Sequence, residues 1–401
     1  MSLSPEKEKS LLIVLMLVMF TTIVDFMILM PLSPFLMAEM HVTPATFGIL
    51  VSAYSLTAGV SSLLATSLAD RFDRRHALLA CYAGLIVATL ACAAASSFYT
   101  LLLGRCIAGL FGGVLGSICF AIVGDVVPNE RRGQAMSWVM LGFSLSAVFG
   151  VPAGLLIASH TNWRWPFGVL AASCALIWLV GWRLVPAVRG HLVDQAKRPP
   201  VSMFTSYREL LAVPNHWWAC LITACLMLSG FTIIPYISPS LVANVGISPH
   251  DLMYVYLAGG AVTLLTRPWI GGMTDKHPRA HVLAWLVLAS FVPIMLVSLT
   301  LPFPLLGQLV ISSLFFIFVS GRFIPATALV TSATESRMRG RLMAFNSAIQ
   351  NFAGGAAALI AGLILSQDAS GKLLNFGWVG VLSCVFGVLA IWVARQVRTV
   401  S

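Results

Sequence analysis

The chain has 401 residues, of which 59% are hydrophobic and 9% charged, with a formal net charge of +10. Soluble domains carry about 25% charged residues, so an ordinary water-soluble enzyme is excluded, as are disordered, collagen-like, coiled-coil and disulfide-scaffold chains. A mean hydropathy of +0.92 names lipid as the solvent, and at about 20 apolar residues per crossing the length holds roughly a dozen spans.

Hydropathy and turn signals predict twelve helices at 11–37, 44–68, 77–97, 99–124, 134–158, 165–185, 215–243, 250–273, 281–301, 304–328, 342–366 and 375–395. Residues 40–69, 133–163, 210–250 and 280–321 contain no Asp, Glu, Lys or Arg, and lipid leaves helices as the way to satisfy backbone polar groups in such runs. Short connections at Ser96-Ser97 and at 301–304 predict tight helical hairpins. Lys7 and Lys9 precede the first apolar run as in a signal peptide. That run continues past Asp25 to Met37 without a small-x-small cleavage site, so a retained first span is expected.

The positive charge sorts by side. With the N-terminus inside, 19 of the 24 Lys and Arg residues fall in cytoplasmic segments and only Arg164 and Lys372 outside. This bias predicts both termini in the cytoplasm. A nucleic-acid-binding role needs a basic face on a water-exposed domain, and nucleic acid is therefore not an expected partner. All eight cysteines lie in apolar spans without a Cys-x-x-Cys pair, which reads as packing rather than metal or redox chemistry.

The chain repeats itself at a period near 205 residues. Asp70-Arg71-Phe72-Asp73-Arg74-Arg75 after the second span matches Asp275-Lys276-His277-Pro278-Arg279 after the eighth. Pro31 and Pro34 match Pro235 and Pro239, and RRGQAM (131–136) matches MRGRLM (338–343). Two homologous six-helix halves are expected, 1–185 and 215–401, joined by a cytoplasmic linker at 186–214.

These features together resemble the major facilitator superfamily. Its loop motif, G-x-x-x-D-R-x-G-R-R, is met by Asp70, Arg71, Arg74 and Arg75, with Thr66 and Asp73 where glycines are usual; the second copy keeps Gly271, Asp275, Lys276 and Arg279. LLLGRCIAGLFGG in the fourth span resembles the family's arginine motif, with Ala108 where Gln is common. FGVPAG (149–154) followed by NWRWPF (162–167) resembles the antiporter motif of drug:proton antiporters and predicted arabinose-efflux permeases, and GRFIPATALV (321–330) and RMRGRLMAFNSAIQ (337–350) agree with that branch. The fold expected is an all-α membrane protein, with twelve transmembrane helices in two pseudo-symmetric six-helix bundles.

Asp25 is the one acidic residue deep in a span, where a charge costs about 2.5–3.5 kcal/mol on insertion scales. It is the candidate proton-coupling carboxylate, the alternative being a structural ion pair. Arg105 is the candidate that tunes proton transfer, or else a fixed interhelical tie; straight helices place it about 9 Å from the height of Asp25. Arg322, an in-span guanidinium without an acidic partner in its span, is a candidate for gripping substrate. Arg267 is near enough to the inner loop to snorkel. Asn346 and Gln350 share a helix face and, with Phe26, Tyr54, Trp138 and Tyr236, are candidates to line the substrate cavity, helix glue and packing being the alternatives. Pro152 is expected to kink the fifth span and Gly150 and Gly154 to let a neighbour approach, a proton-leak barrier by resemblance. Pro31, Pro34, Pro235 and Pro239 are expected to bend spans 1 and 7 over an outer gate. Asp70, Arg71, Arg74, Arg131 and Arg132 read as one cytoplasmic latch, and Asp275, Arg279 and Arg339 as its repeat.

No phosphate-binding loop, metal-spaced cluster or nucleophile elbow is present, so neither enzyme activity nor a cofactor is expected. The expected function is a proton-coupled secondary transporter in a bacterial inner membrane. It exports a small organic molecule (a drug, sugar or metabolite) by alternating access, as a monomer, with substrate, protons and the bilayer as partners. A symporter importing a sugar, nucleoside or organic acid is the first alternative, and a non-transporting receptor or lipid-handling protein the second.

Overall fold

The computed structural model describes residues 4–68, 72–128, 130–188, 203–335 and 338–400. All twelve expected spans are helices, and we number them as spans 1–12. Span 1 is Pro5–Ile28 continued by Ser33–Met40, and span 2 is Pro44–Leu68. Spans 3 and 4 are Arg74–Ala93 and Phe98–Val126. Span 5 runs Arg132–Leu145, a π-helical turn Ser146–Gly150, then Val151–His160; span 6 is Arg164–Leu184. Span 7 begins with Pro214–Phe231 and span 8 is Leu252–Lys276. Span 9 is Arg279–Ser298, span 10 Leu305–Gly321 with Phe323–Ser332, span 11 Arg339–Ile364 and span 12 Phe376–Ala394. Eleven of these are long and apolar enough to cross a bilayer. Span 8 carries Arg267 and Pro268 and falls outside that set, yet packs along span 10 like its fellows.

Spans 1–6 pack on one another, as do spans 7–12, and the two bundles meet where span 2 lies on span 11 and span 5 on span 8. Leu265 and Leu363 are 76% and 79% exposed on the outer surfaces, as lipid-facing positions should be. The eight cysteines are unpaired and buried or half-buried. We call the face carrying both termini the terminal face, and the opposite one the distal face.

Proline placement explains the breaks. Span 1 is interrupted by a turn at 29–32 beside Pro31. Span 7 passes through a 3-10 turn at Ile234–Tyr236, a short helix Ile237–Ser240 and a π turn Leu241–Val245. The broken distal segments of the two spans meet each other. In span 5, Pro152 has no N–H to donate. The π turn just before it absorbs the defect, with the Val151 N–H donating to the Ser146 carbonyl five residues back.

Two elements lie outside the sequence expectation. An amphipathic helix, Met203–Leu211, falls within the linker. A two-stranded hairpin, β1 (Ser366–Gln367) with β2 (Leu373–Leu374), joins spans 11 and 12 at the distal face. Asn244 of span 7 anchors it, its side chain accepting from the Leu373 N–H (2.7 Å) and donating to the Leu373 carbonyl (2.8 Å). In the hairpin tip, hydrogen bonds from the Ser370 side chain and the Lys372 and Ser370 backbones hold Asp368 below the usual carboxylate range.

Candidate functional site

Asp25 lies in the last turn of the regular helix Pro5–Ile28 of span 1 and is 1% exposed. Arg105, also 1% exposed, comes down from span 4 and donates through Nη1 to the Asp25 carboxylate (3.2 Å) and to the Asp25 backbone carbonyl (2.9 Å). The Thr89 hydroxyl of span 3 donates to the other carboxylate oxygen at 2.9 Å. The expected height gap between the two residues is absent. The helix stops at Ile28 and resumes at Ser33, so the residues beyond Asp25 do not add up to a straight rise. A paired and hydrogen-bonded carboxylate is how a charge tolerates such burial.

Tyr54 of span 2 completes the centre. The Arg105 guanidinium lies 4.5 Å from its ring centroid, a cation–π contact. Tyr54 packs on Phe26 (5.1 Å), and Phe26 stacks at 5.9 Å on Phe231 of span 7. The ion pair is therefore linked through three aromatic rings to the opposite bundle. Beside it, Gly150 and Gly154 bring span 5 against span 1. A Cβ at Gly150 would meet Val24 at 2.2 Å, next door to Asp25, and one at Gly154 would meet Ile28 at 2.3 Å.

Span 10 also carries a buried arginine, in the other bundle. Arg322 sits at the junction between the two helical pieces of that span, fully buried. Its Nη1 donates to the Ser229 hydroxyl and its Nη2 to the Leu226 carbonyl, both at 3.1 Å on span 7. Ser383 of span 12 bonds to Ser229 in turn. Among the described residues no carboxylate pairs with Arg322.

The remaining candidates disperse. Tyr236 is buried away from the pair. Its hydroxyl donates to the Pro44 carbonyl of span 2 (3.1 Å) and the Ala358 carbonyl of span 11 (2.9 Å), bridging the bundles on the distal side. Gly48 and Gly362 make room for it, since a Cβ on either would come within 2.6 Å of that hydroxyl. Trp138 is 48% exposed in span 5, outside the aromatic trio. Asn346 is buried with Oδ1 unpartnered among the described residues, and Gln350 lies half-buried one turn on. Arg267 does not snorkel. It reaches across to span 5, donating to the Ser144 hydroxyl (3.2 Å) and lying 4.9 Å from the Phe143 ring, which supplies partners within the bundle interface.

The latch residues that the structure describes take other partners or none. Asp70 and Arg71 lie outside the described residues. Arg74 pairs with Asp125 (3.3 Å) and Arg131 with Glu8 (3.0 Å), while Arg132 donates to the Gly124 carbonyl (2.6 Å). Arg279 donates to the Ala328 carbonyl at 3.1 Å. Each of these contacts stays within one bundle. Asp275 and Arg339 do not meet: both are exposed, and neither has a hydrogen bond or ion pair among the described residues, because water already solvates each. Asp73, which stands where the loop motif has glycine, caps span 3 through the Arg75 N–H and holds the Val188 N–H at the end of the first half.

Thr89, Glu8, Asp125, Phe231 and Ser229 are the members sequence reasoning missed. The two carboxylates were visible as acids near span ends. The other three carry no signal of their own in an apolar run.

The comparisons with known proteins agree with this architecture. A probable sugar efflux transporter of Helicobacter pylori (strain ATCC 700392 / 26695) is 25% identical over 361 residues, covering 88% of this chain and 85% of its own. The uncharacterized MFS-type transporter YtbD of Bacillus subtilis (strain 168) is 25% identical over 371 residues, 89% and 88% of the two chains. Among solved structures, a bacterial homologue of the human lysosomal transporter Spinster, inward-facing and unoccupied, superposes with a TM-score of 0.75 at 17% identity over 99% of this chain and 100% of that one. A D-xylose–proton symporter gives 0.78 at 14% identity over 98% and 99%. The profile of the Major Facilitator Superfamily matches residues 15–317 and 219–400. With two six-helix bundles meeting along spans 2 and 11 and spans 5 and 8, the chain belongs to the Major Facilitator Superfamily, a family of membrane transporters and not of enzymes.

Proposed function

We propose that this chain is a proton-coupled exporter of a small organic molecule, with the terminal face in the cytoplasm of a bacterial inner membrane and 1–185 and 215–401 as the two rocking bodies. The observation that carries the reading is the direct Asp25–Arg105 pair, joined by Tyr54, Phe26 and Phe231 to the opposite bundle. A proton arriving on Asp25 Oδ2 removes the charge that holds Arg105 Nη1. The guanidinium is then left to the Asp25 backbone carbonyl, to the Tyr54 ring and to whatever lies between the bundles. Cargo and proton thus compete for one arginine, and movement at the Phe26–Phe231 contact reports the exchange to the other half.

The distal contacts support a cytoplasm-open state. Tyr236 bridges spans 2 and 11, the broken ends of spans 1 and 7 touch, and His160 and His250 lie 5.8 Å apart across spans 5 and 8. Efflux is favoured over uptake by the antiporter-like stretch Phe149–Gly154, and relatives named as probable sugar efflux transporters support the same direction. Arg322, Asn346 and Gln350 are the cargo-facing candidates of the second half, whereas Tyr236 serves the distal seal.

The test uses inverted and right-side-out vesicles under an imposed pH gradient. Export predicts that inverted vesicles with an acidic lumen accumulate cargo while releasing protons. Accumulation only in right-side-out vesicles with an acidic exterior establishes the importer instead.

A further inference from the structure

We infer that the cargo is an organic anion, and that Arg322 holds its carboxylate or phosphate group. This deepens the exporter reading and rests on it. The two bundles treat their buried arginines differently. In the first, Arg105 of span 4 meets a carboxylate on span 1. In the second, Arg322 of span 10 reaches the matching place on span 7 and finds a hydroxyl, Ser229. The repeat fixes the correspondence on span 7: aligning Pro31 with Pro235 carries Asp25 onto Ser229, while it carries Arg105 onto Leu309, so Arg322 reaches that place from farther along span 10.

Arg322 is 0% exposed. A guanidinium ion withdrawn that far from water needs a counter-charge, since hydroxyls and carbonyls return only part of its hydration. Its neighbours are Ser229, the Leu226 carbonyl, Ser383 behind them and the Cys384 thiol, and none is a carboxylate. Its Nε has no partner among the described residues. Arg267, the other C-half arginine away from a span end, is likewise without a carboxylate among the described residues, and stands half-buried at the seam between spans 5 and 8. With Asp25 neutralised by Arg105, the interior keeps two positive charges on one side of the molecule. A neutral cargo would leave both uncompensated, whereas an anionic one supplies what Asp25 supplies in the first half. The backbone of span 10 stays helical through Arg322, whose N–H donates to the Phe318 carbonyl and whose carbonyl accepts from the Ala326 N–H, so it is the long side chain that turns toward the cargo. Arg267 is a first contact nearer the terminal face.

The experiment uses the purified full chain and a defined set of probes: gluconate and glucose 6-phosphate as anions, glucose and xylose as neutral counterparts, and chloride against methanesulfonate as the inorganic control. Thermal unfolding and counterflow in proteoliposomes are measured for wild type, Arg322→Gln and Ser229→Asp. The inference predicts saturable stabilisation and counterflow with at least one anionic probe and neither neutral one, with a loss of about tenfold or more in apparent affinity in Arg322→Gln, as for a hydrogen-bonded charge deprived of its partner. Ser229→Asp rebuilds the arrangement of the first half. It is therefore expected to unfold at a higher temperature than wild type and to lose the response to anions, so a poorly folding Arg322→Gln does not decide the matter. Three outcomes overturn the inference: no response to either anion, a response reproduced by chloride alone, or anion counterflow undiminished in Ser229→Asp. Proton-driven export of a neutral probe overturns it while leaving the exporter reading standing.

Discussion

Asp25 is held at both of its carboxylate oxygens, by Arg105 and Thr89, and both charged partners are 1% exposed. Breaking such a pair by removing one member leaves the other charge buried alone, at a cost of about 3–5 kcal/mol. Asp25→Asn and Arg105→Gln are therefore each expected to lower the unfolding temperature, and the double variant to recover much of the loss. Double-mutant analysis of thermal unfolding in detergent checks this. Simple additivity of the two losses would mean that the pair contributes no coupling. The pairing also shows where sequence reasoning stops. Asp25 and Arg105 stand out because charges are rare in spans. Thr89 lies 64 positions from Asp25 and looks like any threonine in an apolar helix. The height difference expected from straight helices failed because span 1 breaks four residues past Asp25.

At the scale of elements, hydropathy made the spans legible because lipid imposes a length on each of them. Span 2 runs Pro44–Leu68, as expected from its proline start and its charge-free run. The hairpin at 366–374 was not legible, since strands of two residues have no periodicity and depend on Asn244, far away in the chain. The expected kink at Pro152 takes the form of a π turn at 146–150, which keeps Gly150 and Gly154 on the face that touches span 1. This contact gives a sharp contrast. Gly150→Ala places a methyl 2.2 Å from Val24, whereas Gly168 has nothing within 4 Å of its Cβ position. Gly150→Ala should destabilise by about 1–3 kcal/mol through overpacking. Gly168→Ala should be neutral or stabilise by up to about 1 kcal/mol, as alanine does in a helix interior. Thermal unfolding of the two variants separates them. Equal effects would remove the packing role from Gly150.

For the whole molecule, two bundles meeting along two pairs of spans make a device that closes on one face at a time. In this structure the distal face carries several bridges, with Arg267–Ser144 and Asn351–Ser62 joining the bundles nearer the terminal face. Tyr236 lies between the backbones of spans 2 and 11, the hairpin is anchored on span 7, and the histidines face each other across spans 5 and 8. The repeat near 205 residues made the two-bundle plan readable in advance. It did not show which face would be sealed, because the proline breaks that permit closure are equally compatible with opening. The ion pairs described at the terminal face, Arg74–Asp125 and Arg131–Glu8, lie within the first bundle, so they brace that half without tying it to the other.

The coupling role of Asp25 is tested most directly by uphill transport in proteoliposomes, comparing wild type with Asp25→Asn under an imposed pH gradient and again with no gradient. A coupling carboxylate predicts that the variant still exchanges labelled for unlabelled cargo at equilibrium but accumulates none against its gradient. Wild-type uphill accumulation by Asp25→Asn would contradict the role assigned to that carboxylate.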